Sequence, residues 1–228
     1  MSGASRTEDE RVPIVHVVDD DPGVLDAVRL LLRSVGLASR GYASALEFLE
    51  AHDPDAPGCL VLDLRMPGMS GVELQERLGE LGSDIPIVFV TAHGDVPTAV
   101  RAVKAGAIDF IQKPFHDQQL LDRVHEALAL NARSRVLRAE RRQIIQRIAG
   151  LTPREREAMT LVVAGLPNKK IARELRISER TVEVHRARVM EKMEARSVPE
   201  LVRMVLKAGA ATMPDRPVER PLNPGRPD

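Results

Sequence analysis

The stretch Cys59-Leu60-Val61-Leu62-Asp63-Leu64-Arg65-Met66-Pro67-Gly68-Met69-Ser70-Gly71 decides how this chain is read. A short apolar run stops at a carboxylate, and Pro and Gly then turn the chain away. That is how a buried strand delivers one Asp to the edge of a sheet. A single Asp at a strand end is more often a loop-starter or a helix cap, so the partners of Asp63 decide its meaning. Other short apolar runs supply them. Val12–Val18 leads into Asp19-Asp20-Asp21, Ile87–Val90 into Thr91, and Ala107–Ile111 stops just before Lys113-Pro114. The run Ala38–Tyr42 carries nothing reactive.

Amphipathic stretches separate these runs, so strands and helices alternate and the sheet is expected to be parallel. Right-handed crossovers then put every strand's C-terminal end on one edge. In a doubly wound sheet of order 2-1-3-4-5 the ligand site lies at the switch point between strands one and three. Asp19, Asp20 and Asp63 meet there, with Thr91 and Lys113 arriving from neighbouring strands. Packed carboxylates repel one another and call for a cation. Oxygen-only donors favour Mg2+ (or Mn2+), and such an ion beside a Lys suits a phosphoryl group. The carboxylate facing that ion can act as the nucleophile for an aspartyl-phosphate.

These residues closely resemble the receiver domain of two-component response regulators. The resemblance covers about half the chain, through Val-Val-Asp-Asp-Asp, Leu-Asp-Leu-Arg-Met-Pro-Gly-Met-Ser-Gly, Thr-Ala-His-Gly-Asp-Val-Pro and Asp-Phe-Ile-Gln-Lys-Pro-Phe. It implies a flavodoxin-like α/β domain in which Asp63 accepts phosphate. It further implies that Asp20 and Asp63 bind the metal, helped by Asp19 and the Arg65 carbonyl. By the same likeness Thr91 and Lys113 contact the phosphoryl group, Phe110 is the switch aromatic, and Lys113-Pro114 is a cis bond. Arg65 and His93, two residues beyond Asp63 and Thr91, are expected either to border the approach of water to the acyl phosphate or to point into solvent and serve partner binding.

The formal net charge of zero conceals an asymmetry. Residues 1–125 hold 11 Lys+Arg against 20 Asp+Glu, giving −9, and residues 126–228 hold 22 against 13, giving +9. A basic half suggests a polyanion partner, although a solvated basic surface is the blander reading of charge alone. The single cysteine, Cys59, lies inside an apolar strand run and reads as a small buried hydrophobe. No apolar run approaches about 18 residues and no N-terminal apolar segment precedes a cleavage site, so a cytoplasmic protein without membrane partners is expected.

Taken in order, residues 1–11 are polar and expected to be disordered, and the receiver spans 12–130. Asp21-Pro22 opens a helix, and Ser44-Ala45-Leu46-Glu47 and Ser70-Gly71-Val72-Glu73 are capping-box patterns opening two more. Asp95 and Asp117 start the fourth and fifth. The fifth has no stop: Leu120 to Ala149 contains neither Pro nor Gly. Residues 131–150 therefore read as a long helical linker. Leu130, Leu137, Ile144 and Leu151 fall seven apart, but the matching second positions are Ser134, Arg141 and Ile148, so only half a coiled-coil seam is present. The stretch reads either as a linker that pairs weakly in a dimer or as a solvated spacer.

Thr152-Pro153-Arg154-Glu155 restarts the order as N-cap, first-turn Pro and capping-box Glu. Residues 151–208 read as a small all-α domain: a helix to about Ala164, then Asn168–Leu175, a turn at Arg176-Ile177-Ser178, Glu179–Met193, and Ser197–Lys207. Ala172 and Ile177 suit a helix-turn-helix. On the outer face of Glu179–Met193 stand Arg180, Thr181, Glu183, Val184, Ala187 and Arg188, while Lys169 and Lys170 open the preceding helix. Cations and hydroxyls around a mixed patch suit phosphate anchoring about base readout. Residues 209–228, with five prolines, are expected to be disordered.

The motifs Leu-Thr-Pro-Arg-Glu-Arg-Glu, Lys-Lys-Ile-Ala and Thr-Val-Glu-Val-His-Arg-Ala-Arg-Val-Met resemble the output domain of the NarL/FixJ class, and look FixJ-like in particular. The resemblance implies a transcription regulator phosphorylated on Asp63 by a sensor histidine kinase. It would pair as a homodimer on phosphorylation and bind double-stranded promoter DNA, with RNA polymerase a candidate further partner. No enzymatic role is expected beyond slow loss of its own phosphate. One departure stands out: the base-reading positions, basic in NarL-like members, are here Glu183, Val184 and Ala187. Two alternatives remain. A haloacid-dehalogenase-like phosphohydrolase also uses an Asp at a parallel-sheet edge, but Arg65 occupies the place of its second Asp. The C-terminal helices could instead bind protein or RNA.

Overall fold

The computed structural model describes residues 11–92 and 106–209. His93, the helix expected from Asp95, and all of the expected disordered ends except Arg11 and Gly209 lie outside the described residues. Two compact units divide at Val136 and Leu137.

The first unit is a five-stranded parallel sheet ordered β2-β1-β3-β4-β5, as the doubly wound reading requires. The strands are β1 (Ile14–Val18), β2 (Ala38–Tyr42), β3 (Gly58–Asp63), β4 (Ile87–Thr91) and β5 (Asp109–Gln112). Strands β1 and β5 begin two residues later than their apolar runs suggest, because a run need not enter the ladder at its first residue. Ala107 and Ile108 precede β5, and the Ile108 N–H donates to the Ile87 carbonyl at 2.9 Å. Residues on β3 are buried throughout, which explains its unbroken apolar run.

Alternate side chains feed two cores. Val15, Val17, Val61, Val88 and Val90 pack with α1 (Pro22–Ser34) and the first turns of α4 (Asp117–Ala149). Leu60, Leu62 and Phe89 pack with α2 (Ala45–Ala51) and α3 (Gly71–Glu80) on the other face. Capping follows the sequence signals. Asp21 accepts from the N–H groups of Gly23 and Val24, and Ser70 and Glu73 close a full capping box.

The second unit contains α5 (Pro153–Val163), α6 (Asn168–Leu175), α7 (Glu179–Lys192) and α8 (Val198–Ala208). Here the long α4 helix departs from the expectation of a spacer. Ile144 and Ile148, at 3% and 2% exposure, join Leu151, Met159, Val182 and Val205 in one core. Burying each such side chain contributes roughly 1.5–3 kcal/mol. Farther back, Asn131 is buried in the first unit, its Oδ1 accepting from the Gly58 N–H at 3.1 Å. Both ends of the 131–150 stretch are thus packed, and the solvated part is shorter than the sequence suggests.

A polar cluster under α2 was invisible in the sequence. His16 on β1 is buried, its Nδ1 is 3.0 Å from the Tyr42 hydroxyl, and Phe48 meets its ring edge-on. Burial, followed by the charges of His52 and Arg40, lowers the His16 pKa from 6.5 to about 4. Between those values the unfolded chain takes up a proton that the folded domain refuses. The stability contribution is therefore complete above about pH 6.5 and is lost as pH falls towards 4. The first unit's urea midpoint is expected to drop across that window, by up to about 3 kcal/mol of stability. In His16→Gln the drop is expected to be markedly shallower.

Candidate functional site

Strand register brings the acidic groups together. Val18 lies opposite Leu62 in the β1–β3 ladder, so Asp19 and Asp63 both stand one residue beyond that pair. Thr91 lies opposite Gln112, which puts Lys113 one residue beyond the β4–β5 ladder. Asp19, Asp20 and Asp63 each offer a carboxylate oxygen, and these oxygens lie within 4.8 Å of one another. Asp19 and Asp63 are buried and Asp20 is exposed, so the cluster opens to solvent on one side.

Lys113 brings an ammonium group into the site. Its Nζ lies 2.6 Å from Asp19 Oδ2 and 3.7 Å from Asp63 Oδ1. Asp19 Oδ1 accepts from the Asp21 N–H at 3.0 Å, which holds that carboxylate in place. Among the described residues the buried Asp63 Oδ1 has no hydrogen-bond partner. Burial raises the Asp63 pKa above its ordinary value; Lys113 pulls it down, Asp19 pushes it up, and the Leu64 and Arg65 N–H groups lower it. Three oxygen-bearing acids against one ammonium, with a buried oxygen left over, form a donor set suited to a hard cation.

The other expected residues fall around this cluster. Thr91 is buried at 1% exposure on the end of β4. Phe110 is half-buried on β5 and packs against the core that holds Leu62 and Phe89. Arg65 is exposed just past β3, and the Lys113-Pro114 bond is cis. The close approach of α3 was not legible. Gly71 opens that helix against β3, and a Cβ there would overlap the Asp63 carbonyl oxygen and come within 3.0 Å of the Phe89 ring.

The second unit presents a helix-turn-helix. α6 ends at Arg176, whose φ of 54° is left-handed, and Ile177 packs inward before Ser178 caps α7. Val182, Val189 and Met193 turn into the core. Lys169, Lys170, Arg180, Glu183, Val184, Ala187 and Arg188 are exposed. Thr181 is half-buried, with its Oγ1 2.8 Å from Ser178 Oγ.

Two inward contacts that sequence reasoning missed hold α7. Arg186 Nη1 donates to Asn168 Oδ1 at 2.8 Å, and Lys192 Nζ donates to Glu155 Oε2 at 2.7 Å. Glu155 is 2% exposed. Its pKa is drawn down from 4.5 to about 2 by Lys192 first and then by the Thr152 N–H. The capping-box pattern revealed Glu155 as a cap, but no spacing rule links it to Lys192.

Comparison with known proteins agrees with this geometry. Residues 15–125 match the response regulator receiver domain, and residues 149–205 match the bacterial regulatory proteins of the LuxR family. The chain is 48% identical over 201 residues to the transcriptional regulatory protein FixJ of Azorhizobium caulinodans, covering 88% of this chain and 95% of that protein. This chain belongs to the FixJ-like response regulators of the NarL/FixJ class. It is 43% identical to the response regulator protein TodT of Pseudomonas putida, over 86% of each chain. A low-resolution structure of the response regulator StyR is 51% identical, with a TM-score of 0.76, and spans 86% of this chain and 98% of its own.

The first unit is thus the receiver and the second a LuxR-type DNA-binding domain, and the protein is a two-component transcription regulator. Both domains are typical of regulators rather than enzymes. Among the described residues no helix is long and apolar enough to cross a membrane.

The approach of α3 to the Asp63 backbone yields a paired test. Gly71→Ala is expected to destabilise the receiver by about 1–3 kcal/mol, because neither backbone nor ring can yield easily. Gly79 lies in the same helix with nothing within 4 Å of an added Cβ. Gly79→Ala is expected to stabilise by about 0.5–1 kcal/mol. Urea unfolding of both variants checks the difference in sign.

Proposed function

We propose that Asp63 is the phosphoacceptor of this regulator and receives its phosphoryl group from the phosphohistidine of a sensor kinase. The observation that carries the reading is the buried Asp63 Oδ1, without a hydrogen bond among the described residues and 3.7 Å from Lys113 Nζ. In the transfer an Asp63 oxygen forms the new bond to phosphorus while the phosphorus–nitrogen bond breaks. The imidazole leaves with that electron pair. Lys113 and the Thr91 hydroxyl bind the phosphoryl oxygens, and Asp19 keeps Lys113 in place. The oxygen donor set fits Mg2+ or Mn2+, held by Asp19, Asp20, Asp63 and the Arg65 carbonyl. When bound, the ion supplies positive charge against the phosphoryl oxygens.

Drawing Thr91 towards the phosphoryl group changes the packing beside Phe110, and the receiver then pairs with a second copy. The receiver itself removes the phosphate slowly, through water. Paired output domains bind double-stranded promoter DNA in the cytoplasm, where RNA polymerase is a further partner. Lys169, Lys170, Arg180, Thr181 and Arg188 contact the phosphates, and Glu183, Val184 and Ala187 face the base edges.

Acetyl phosphate with Mg2+ is expected to add one phosphoryl group to the intact protein and none to Asp63→Asn, read by intact mass. Label retained in that variant would assign the acceptor elsewhere. On DNA, Lys169→Ala is expected to weaken binding evenly across sequences and to reduce the salt slope by about one unit. A slope and affinity unchanged from wild type would remove Lys169 from the interface.

A further inference from the structure

The exposed ridge of α7 is chemically uneven. Arg180 and Arg188 stand near its ends, about 12 Å apart along the axis. Between them lie Glu183, Val184 and Ala187, all exposed. Among the described residues neither Glu183 nor the two arginines has a hydrogen-bond or ion-pair partner, so the carboxylate is not there to neutralise a neighbour. Nor does the fold need Val184, which leaves 45% of its surface in water while Val182 and Val189 fill the core.

A bare carboxylate at the centre of a DNA-facing ridge is repelled by phosphate unless it meets a donor. The major groove offers such donors on cytosine N4 and adenine N6. Adenine's amine is flanked on both sides by acceptors, its own N7 and the thymine O4, which repel a carboxylate, whereas the cytosine amine has an acceptor, the guanine O6, on one side only. The apolar group of the groove is the thymine 5-methyl.

Building on the proposed placement of α7 in the major groove, we propose that Glu183 reads a cytosine through its N4 amine and that Val184 with Ala187 reads a thymine methyl. Glu183 and Ala187 are one turn apart, with Cβ atoms about 6 Å from each other, or about two base-pair steps of 3.4 Å. The cytosine and thymine therefore fall within about two base pairs of one another in each half-site. Arg180 and Arg188 hold the flanking phosphates and set affinity without choosing the bases.

The test selects duplexes from a random pool with full-length protein treated with acetyl phosphate, in wild-type, Glu183→Gln and Val184→Ala forms. The wild-type motif is expected to contain the cytosine and thymine at that spacing, and replacing the cytosine is expected to weaken binding about 5- to 150-fold. Glu183→Gln is expected to move that position to adenine and leave the rest of the motif unchanged. Deoxyuridine in place of the thymine removes only the methyl. It is expected to weaken wild-type binding about fourfold and to leave Val184→Ala unaffected. A wild-type motif without such a cytosine–thymine pair, or the same motif in wild type and the Gln variant, overturns the inference. Wild-type protein that selects no duplex at all would instead defeat the proposed DNA contacts.

Discussion

One ammonium group set against three carboxylates is the constraint on which the receiver is built. At an effective dielectric constant near 20, like charges 4.8 Å apart repel by about 3 kcal/mol per pair. Lys113 offsets part of this, through its close contact with Asp19 and its longer approach to Asp63. The remainder stays as repulsion among the carboxylates, which a bound cation would relieve. No flexible loop would hold such a cluster together. Three strands do so because their ladder registers end within two residues of the charged groups. The apolar cores on both faces supply the stability that the charge cluster costs.

This arrangement is why the receiver was so legible. Each reactive residue follows directly on an apolar run, and the parallel topology converts that one-dimensional order into a common edge. Sheet order and caps agreed with the reading, while the starts of β1 and β5 shifted, because hydrophobicity marks what is buried and not where the ladder begins. Contacts between distant segments left no trace. His16 reads as an interruption in an apolar run until Tyr42 and Phe48 are placed beside it. Asn131 carries no signal for the Gly58 N–H that it satisfies across 73 positions. Gly71 showed its place inside a capping box, but not the backbone it approaches.

The long helix teaches a different point about periodicity. Leu130, Leu137, Ile144 and Leu151 share a heptad spacing, yet they divide by environment. Leu130 and Leu137 are 46% and 63% exposed, whereas Ile144 and Leu151 are buried with α5 and α7. A seven-residue spacing says only that side chains share a face. Whether that face meets a partner helix or the chain's own next domain depends on the segment C-terminal to it. Here the restart at Thr152 folds new helices back onto the last two turns, so part of the apparent seam is used up within one chain.

The output helix shows how positioning and recognition are separated. Its orientation rests on groups that face inward. Val182, Val189 and Met193 sit in the core, Arg186 bonds to Asn168, and Lys192 bonds to the buried carboxylate of Glu155. Removing Lys192 would leave that carboxylate buried with only the N-cap for company, so the pair fixes the helix end more firmly than a surface ion pair would. The outer ridge carries none of this duty. Changes at Glu183, Val184 or Ala187 leave the core, both inward bonds and the caps untouched. A scaffold of this kind can therefore change its exposed residues without changing its stability. The reverse does not hold: Glu155 lies off the ridge, yet its carboxylate joins the end of α7 to the cap of α5 through Lys192 and the Thr152 N–H.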